Sequence, residues 1–439
     1  MADNTYSILH CHTMLSSGTT NIDSVTRFGD YIEQAKKDGL YNVTISEHGN
    51  IYEWYHKKQA IEAAGFKYIH AVEAYITENP DEKVRDNYHC LLFSRNYEGF
   101  KELNRLISAS YNRATVKCYG DTEQFYYTPR ITFDELINTS ENIIVSTACM
   151  AGILCKGNND IRKRFLQFII NNKDRCFLEV QHHQCPSQGE YNKYLAKIAK
   201  KYGLQLLACT DTHSLDERHK KGRSILQKSK NVFFDNEEEW DLTYKTYDEL
   251  VDAFKKQGAL TEEEYMSAIR NTNKLVDMVE EFTLDTNTKY PAIYENPLET
   301  YKSKINDAYK NHKYLKDRYS KEEYKAVIDN ELSVYEKTKS IDFMLLQTFM
   351  REWERENNIE CGYGRGSVSG SEIAYTLGIT QMDSMKFGLN FFRFMNPDRV
   401  TNADIDTDYS SEDREKVKYF LLHDHMNLPQ IQSAEQRKS

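Results

Sequence analysis

His10 and His12, two residues apart, open a series of side chains able to bind metal. Asp23, His48, Glu73, His89, Cys149, Asp211 and His213 follow, most of them just after a short apolar run. In His10-Cys11-His12 both imidazoles fall on one side of an extended segment, because side chains there alternate with a period of two. Imidazole and carboxylate together suit Zn, Mn or Fe. Gathered in one place, such a set brings the pKa of a bound water near neutrality and stabilises charge on a phosphoryl oxygen, which is the chemistry of phosphoester hydrolysis. On chemistry alone an amidohydrolase-like reaction fits nearly as well. A single histidine is usually an ordinary polar residue. Here ten of thirteen lie before residue 220, several in strand-end groups such as Glu47-His48 and Asp211-Thr212-His213. The plain alternative is a set of surface or hydrogen-bonded histidines.

A second constellation lies near the C-terminus. Gly362-Tyr363-Gly364-Arg365-Gly366-Ser367 precedes Asp404-Ile405-Asp406-Thr407-Asp408. Closely spaced glycines let a backbone approach a phosphate, and a following helix N-terminus favours anions. The segment is neither a Walker A motif nor a dinucleotide fingerprint, so by itself it reads as a glycine turn. If Asp404, Asp406 and Asp408 are extended, they share a face, where three carboxylates repel unless a cation or water screens them. The alternative is an exposed acidic turn. Together, a phosphate cradle and a carboxylate strand form a plausible two-metal arrangement for phosphoryl transfer.

The elements that must position the first set alternate in type. Apolar runs recur at 6–9, 43–45, 68–72, 90–93, 143–145, 176–180 and 204–208, with amphipathic stretches at 23–39, 53–64, 96–109 and 188–202. Such repetition favours a parallel α/β sheet or barrel, one strand short of the common eightfold form, with the site at the ends of the strands. Residues 215–285 read as helical and charged, with Asn236-Glu237-Glu238-Glu239 a solvated turn. Residues 320–358 read as helices around a buried Ile341–Leu346, and the tail from Leu421 reads as frayed.

At 439 residues the chain can hold two or more domains, and an aromatic content of 12% with 31 Tyr excludes a disordered polymer. Nine irregularly spaced Cys indicate reduced thiols. No apolar stretch has membrane-spanning length and the N-terminus is not signal-like, which predicts a cytoplasmic protein. A net charge of -10 gives no hint of nucleic acid, but a basic groove can coexist with it.

Six segments carry a resemblance. His10-Cys11-His12-Thr13, Ser46-Glu47-His48-Gly49-Asn50, Ala71-Val72-Glu73, Asn87-Tyr88-His89, Ser146-Thr147-Ala148-Cys149 and Thr210-Asp211-Thr212-His213 occur in the order of the polymerase-and-histidinol-phosphatase (PHP) domain. The flanking words resemble the version at the N-terminus of bacterial replicative polymerases of the polymerase III alpha class. The resemblance implies a distorted sevenfold (β/α)7 barrel holding Zn²⁺ or Mn²⁺, and a 3′–5′ exonuclease where the site is intact. It implies His10, His12, His48, Glu73, His89, Cys149, Asp211 and His213 as ligands. The family's remaining ligand usually follows the first motif closely; Asp23 is the nearest acid and is displaced. Glu47 stands where the family usually has Asp and is expected to orient an imidazole. His182 and His183 either line the site or are exposed loop histidines.

The second constellation resembles the palm of the same class through Cys361–Ser367, Phe387–Val400 and Ala403–Tyr409, with Tyr363, Ala403 and Tyr409 departing from the usual residues. That resemblance implies a polymerase-beta-like, α+β palm in which Gly364, Arg365, Gly366, Ser367 and Arg393 hold the incoming nucleotide. Asp404 and Asp406 would be catalytic and bind Mg²⁺, with Asp408 supporting. The expected domains are PHP at 1–285, an incomplete palm at 286–430 and a frayed tail at 431–439. The expected partners are primer-template DNA, a dNTP, and a second polypeptide or segment carrying the third Asp, thumb and fingers; a sliding clamp would be reached only through that segment. A Tyr- and Lys-rich, Pro-poor composition is compatible with a bacteriophage source. The alternatives are a stand-alone metal-dependent phosphoesterase or exonuclease, and a catalytically inactive truncated polymerase.

Overall fold

The computed structural model describes residues 4–18, 22–113, 116–119, 122–232, 240–286, 290–398 and 404–421. The acidic turn 236–239, the tail 431–439 and Ala403 lie outside them. The chain divides into two compact units, Met1–Leu284 and Asp285–Ser439.

The first unit is a mixed α/β fold. Its strands are β1 Ser7–Ile8, β2 Asn42–Val43, β3 Ala71–Thr77, β4 Tyr88–Ser94, β5 Val116–Tyr119, β6 Thr122–Gln124, β7 Arg130–Thr132, β8 Ile143–Ser146, β9 Cys176–Gln181 and β10 Gln205–Cys209. β10, β9, β8, β4, β3 and β7 form one sheet in that order, while β1 pairs with β2 and β5 with β6. Two further bridges join the pieces: Cys11 pairs with Thr212 just beyond β1 and β10, and His48 pairs with Glu73 just beyond β2. Every apolar run singled out in the sequence thus contains or overlaps a strand.

One expectation fails. The sheet is not wholly parallel, because β4 runs antiparallel to both β3 and β8. The ten or so residues between β3 and β4 are too few for the helical crossover that a parallel return requires. β7 and the β5–β6 hairpin were not foreseen; at three or four residues each they are too short for a readable alternation.

The strands place the site through their period of two. Leu9, Ala71, Leu91, Ile144, Phe177 and Leu207 make a small apolar cluster on one face. Burying Phe177 or Leu207 there stabilises the fold by about 1.5–3 kcal/mol each. Two residues further along the same faces, Ala71 gives way to Glu73 and Phe177 to Glu179. The opposite faces, with Val72, Leu92, Val145, Leu178 and Ala208, join the larger core under helices such as Phe28–Lys37, Asn159–Asn171 and Pro186–Tyr202.

The second unit is helical among its described residues, built from Pro297–Asn311, Lys321–Lys337 and Ile341–Glu356 and followed by short turns. Ser320 and Glu323 form a capping box that starts Lys321–Lys337, satisfying amides that the helix itself cannot. Tyr301, Ile305, Tyr335, Met344, Leu345, Ile373 and Phe394 form its core. The acidic segment is not a regular strand. Among the described residues its bridges are the antiparallel Cys361–Tyr409 and Arg365–Asp406, since an isolated two-stranded pairing is marginal in water. Among the described residues no helix is long and apolar enough to cross a membrane.

Candidate functional site

Pairing between the first and last strands creates the centre of the site. His12 N donates to Thr212 O at 2.8 Å and Thr212 N to His10 O at 3.0 Å, which sets His10 and His12 beside Asp211 and His213. Glu73 N donates to Glu47 O at 3.0 Å and Gly49 N to Glu73 O at 2.8 Å, bringing His48 to Glu73. Gly49 is required there: its φ is +58°, and a Cβ would lie 2.9 Å from the Tyr75 ring. That ring stacks on His48, 5.5 Å between centroids and 9° from parallel. On the other side of β3, His89 N donates to Ala151 O at 3.2 Å, and Cys149 Sγ lies 3.7 Å from His89 Nδ1 and 3.8 Å from Glu73 Oε1.

The side chains converge. Glu73 lies 3.3 Å from the Nε2 of both His10 and His12, 2.8 Å from His48 Nδ1 and 3.0 Å from His89 Nδ1. Asp211 Oδ1 is 3.2 Å from His10 Nε2 and 3.5 Å from His12 Nε2. Asp23, displaced in sequence, is brought in: it is 3.3 Å from His213 Nε2, 3.6 Å from His48 Nε2 and 3.8 Å from His12 Nδ1. Three donor groups, His12/Asp23/His48/His213, His10/His12/Glu73 and His48/Glu73/His89, have atoms mutually within 4.8 Å.

The electrostatics follow from burial among opposite charges. Burial pushes the Glu73 carboxyl up, but His89, His10 and His48 outweigh it and hold it well below the usual range. Asp211 and Asp23 are held down against burial in the same way, Asp211 by His10 and His213 and Asp23 by His213 and His48. Burial lowers the His48 imidazole, but Asp23 and Glu73 raise it further, to about 9. His12 goes the other way, lowered by burial and by the neighbouring His48 and His213. Burial, Glu73 and Asp211 push the Cys149 thiol well up.

Several supporting residues escaped the sequence reading. Glu179 accepts from His10 Nδ1 at 2.7 Å, from Ser146 Oγ at 3.1 Å and from Gln181 Nε2 at 2.8 Å. It thereby fixes the His10 tautomer with Nε2 turned to the cluster. Its signal was present: one acid inside the apolar run Cys176–Val180. Arg223 donates to Asp23 O and Ser17 Oγ accepts from Asp23 N at 3.1 Å. Glu47 corrects an expectation. It accepts from Thr13 N, Thr13 Oγ1, Ser16 Oγ and Lys57 Nζ, so its influence on an imidazole is indirect, through Ser16 Oγ at 3.1 Å from His12 Nδ1. A buried carboxylate takes the strongest donors in reach, and Lys57 offers a full charge. His182 and His183 are not exposed loop histidines; both are buried, outside the donor groups, and His183 stacks on Trp240 at 5.7 Å.

The glycine and acidic segments of the second unit do lie side by side. Gly362 N donates to Asp408 O at 2.9 Å. Arg365 reaches Asp406 at 3.8 Å and Asp408 at 3.6 Å. Gly364 has φ +102°, and a Cβ would strike Thr380 Oγ1 at 2.4 Å, so glycine is needed there. Gly366 and Arg393 are exposed, Ser367 is half-buried at the start of a turn, and Asp404 is exposed. Among the described residues the three Asp side chains do not gather with other donors as the first set does. A buried network backs them. Arg351 donates to Cys361 Sγ at 2.7 Å, to Tyr409 Oη at 2.5 Å and to Thr407 Oγ1 at 3.3 Å, and pairs with Glu354 at 2.9 Å.

Comparison with known proteins adds two family matches. Residues 9–183 match the PHP domain, and residues 299–427 match the bacterial DNA polymerase III alpha NTPase domain. The DNA polymerase III subunit alpha of Aquifex aeolicus is 30% identical over 96% of this chain and 38% of its own length. That of Borreliella burgdorferi is 27% identical over 94% of this chain and 36% of its own. The chain therefore spans well under half the length of these relatives. A metal-dependent phosphoesterase structure from Bifidobacterium adolescentis is 18% identical, covering 48% of this chain and 88% of the other, with a TM-score of 0.32.

Proposed function

From a chain that carries a PHP domain followed by a bacterial DNA polymerase III alpha NTPase segment, homologous along nearly its whole length to polymerase III alpha subunits, we infer the N-terminal portion of a replicative DNA polymerase with two separate sites. Residues 1–285 hold a metal-dependent phosphodiesterase acting on 3′ ends of DNA. Residues 286–430 supply the first part of a palm for templated nucleotidyl transfer, working in the cytoplasm on primer-template DNA and dNTPs.

The observation that carries the first reading is the convergence of His10, His12, Asp23, His48, Glu73, His89, Cys149, Asp211 and His213. Their fit to metal rests on buried atoms: Nε2 of His10 and His12, Asp23 Oδ2, Glu73 Oε2 and Asp211 Oδ1 face one another without a hydrogen bond. Such atoms are costly unless a cation joins them. Zn²⁺ or Mn²⁺ suits this mixture of imidazole, carboxylate and thiol, and when bound supplies an acidified water and charge stabilisation. The chain's own part is to hold the donors: Glu179 fixes His10, Arg223 and Ser17 fix the loop of Asp23, and Tyr75 packs on His48. The bridges at Cys11–Thr212 and His48–Glu73 support a ring of β1, β2, β3, β4, β8, β9 and β10 closing as a distorted sevenfold barrel.

In the palm, the amides and side chains of Gly364, Arg365, Gly366 and Ser367, with Arg393, bind the triphosphate, and Asp404 and Asp406 hold Mg²⁺. The third Asp, thumb, fingers and clamp contact come from the rest of the polymerase. Primer extension tests this. The chain with Mg²⁺ and dNTPs is expected to extend nothing by itself. Adding a polypeptide with the remaining segments restores synthesis, which Asp404→Ala or Asp406→Ala abolishes. Processive extension by the 439-residue chain alone would refute the divided site. For the first site, Mn²⁺-loaded chain should shorten a 5′-labelled single strand from its 3′ end; no cleavage with either metal would sink the reading.

A further inference from the structure

The donor side chains Asp23, His48, His89, Cys149, Asp211 and His213 open onto a cavity of about 990 Å³. That volume is at the upper end for a small-molecule pocket and far exceeds what a phosphate needs. Its wall also contains Arg85, Tyr127, Lys156 and Trp240, none of which is among the candidate metal donors. Tyr127 is 53% exposed, with φ +69°. A bulky side chain is rarely held in the left-handed region, and such conformations concentrate at ligand-binding sites. The Arg85 guanidinium lies 5.1 Å from the centre of the Tyr127 ring. Trp240 is backed by the buried His183, stacked at 20°, so its indole is braced. Arg85 and Lys156 are exposed.

A simple phosphoester would be served by the metal donors and one cation. Trp240 is half-buried and Tyr127 exposed; accessible aromatic faces interleaved with cations are what successive bases and phosphates of a single strand require, since stacking tolerates every base and the cations follow the backbone. We propose that Tyr127 and Trp240 form a base-stacking platform, and Arg85 and Lys156 a phosphate track, that admit the end of a single-stranded nucleic acid to the cluster of the first unit. This rests on the phosphodiesterase reading of that cluster, and it makes base stacking the feature that separates nucleic acid from other phosphoesters.

The test is equilibrium binding to the full chain, in chelator, of a fluorescein-labelled dT hexamer and of an abasic hexamer with the same phosphates, read by anisotropy. The chain is expected to prefer the dT hexamer by about tenfold, in the range of base–aromatic stacking. Tyr127→Ala and Trp240→Ala should each reduce the preference to about twofold or less, with Tyr127→Phe retaining it. Arg85→Ala should weaken both ligands alike. Equal binding of the two hexamers by the unmodified chain overturns the proposal, as does a preference that survives both alanine variants. Bound metal, measured after loading Tyr127→Ala, should match the unmodified chain; a variant that loses metal has lost its fold, and Tyr127→Phe and Trp240→Ala then decide. Failure of the parent reading is distinct: a chain that cleaves no phosphodiester yet shows the Tyr127-dependent preference keeps the platform and loses the hydrolase.

Discussion

The two acidic sites solve the same electrostatic problem in opposite ways. In the first unit the side chains of Glu73, Asp23 and Asp211 are at most 5% exposed, so their charges must be balanced inside the protein. Histidines surround them, and Glu179, Arg223 and Ser17 hold the donors and their loop in place. In the second unit the side chains of Asp406 and Asp408 are 44% and 61% exposed. Water screens them, and Arg365 is a loose neighbour. What is fixed there is the segment's other side chains: Arg351, buried, clamps those of Thr407, Tyr409 and Cys361. One site is preorganised at its carboxylates and imidazoles; the other is preorganised one layer behind its carboxylates.

The largest effect should come from separating the two. Asp211→Asn removes a carboxylate shared by His10 and His12, and should lower phosphodiester cleavage by about 10²–10³-fold, the scale of losing a preorganised electrostatic group. Asp404→Asn should leave cleavage untouched. Loss of cleavage in both variants, in a single-turnover assay, would mean the sites are not independent. Next in size, Arg351→Leu leaves Glu354 bonded to Tyr409 but without its buried counter-charge, and should destabilise the second unit by about 3 kcal/mol. Urea denaturation followed at Trp353 would read this; a midpoint unchanged from the parent chain would remove Arg351 from its clamping role.

A pH titration sharpens the contrast further. Protonated His48, raised to about 9, stabilises the metal-free chain fully below about 6.5, and this contribution is lost as pH rises through about 9. The depressed carboxyls act in reverse, stabilising above about 4 and failing as pH falls. His12, His70, His182 and His183, all lowered by burial, cost stability as pH falls below about 6.5, so the metal-free first unit should be most stable near pH 6.5 and lose on the order of 2 kcal/mol by pH 9. Metal should remove that loss, because it takes the place of the protons. A thermal melt of metal-free protein that is flat from pH 6 to 9 would contradict the buried balance of charge. Smallest of all, Arg365→Ala should change stability by less than about 0.5 kcal/mol, as for exposed ion pairs. A larger loss in differential scanning calorimetry would mean that the acidic segment is held through its carboxylates after all.

The first site was legible in the sequence because its donors sit at the ends of apolar runs, where the strand period fixes which way they face. The position of Asp23 was not readable, since it lies on an irregular segment tied down by Arg223 about two hundred residues away. Glu47 was misjudged for a similar reason: its dominant partner, Lys57, comes from a helix whose docking the sequence does not reveal. The antiparallel course of β4 was overlooked although the short connection before it implied the turn. In the second unit the motifs were readable, but the clamp was not. Arg351 lies in a charged helical stretch, and nothing in Met350-Arg351-Glu352 distinguishes a buried guanidinium from its exposed neighbours.

The pairing of Cys11 with Thr212 has a consequence for how the protein is made. The donors His10 and His12 leave the ribosome about two hundred residues before Asp211 and His213, an interval on the order of ten to forty seconds at ordinary rates of synthesis. During that time the early histidines are attached to a nascent chain that cannot yet form this pairing, and contacts so distant in sequence are slow to form. Metal captured early would meet the wrong set of ligands, as metals do with unfolded Cys and His. The full donor set comes into being only when the segment after the last strand docks beside that after the first.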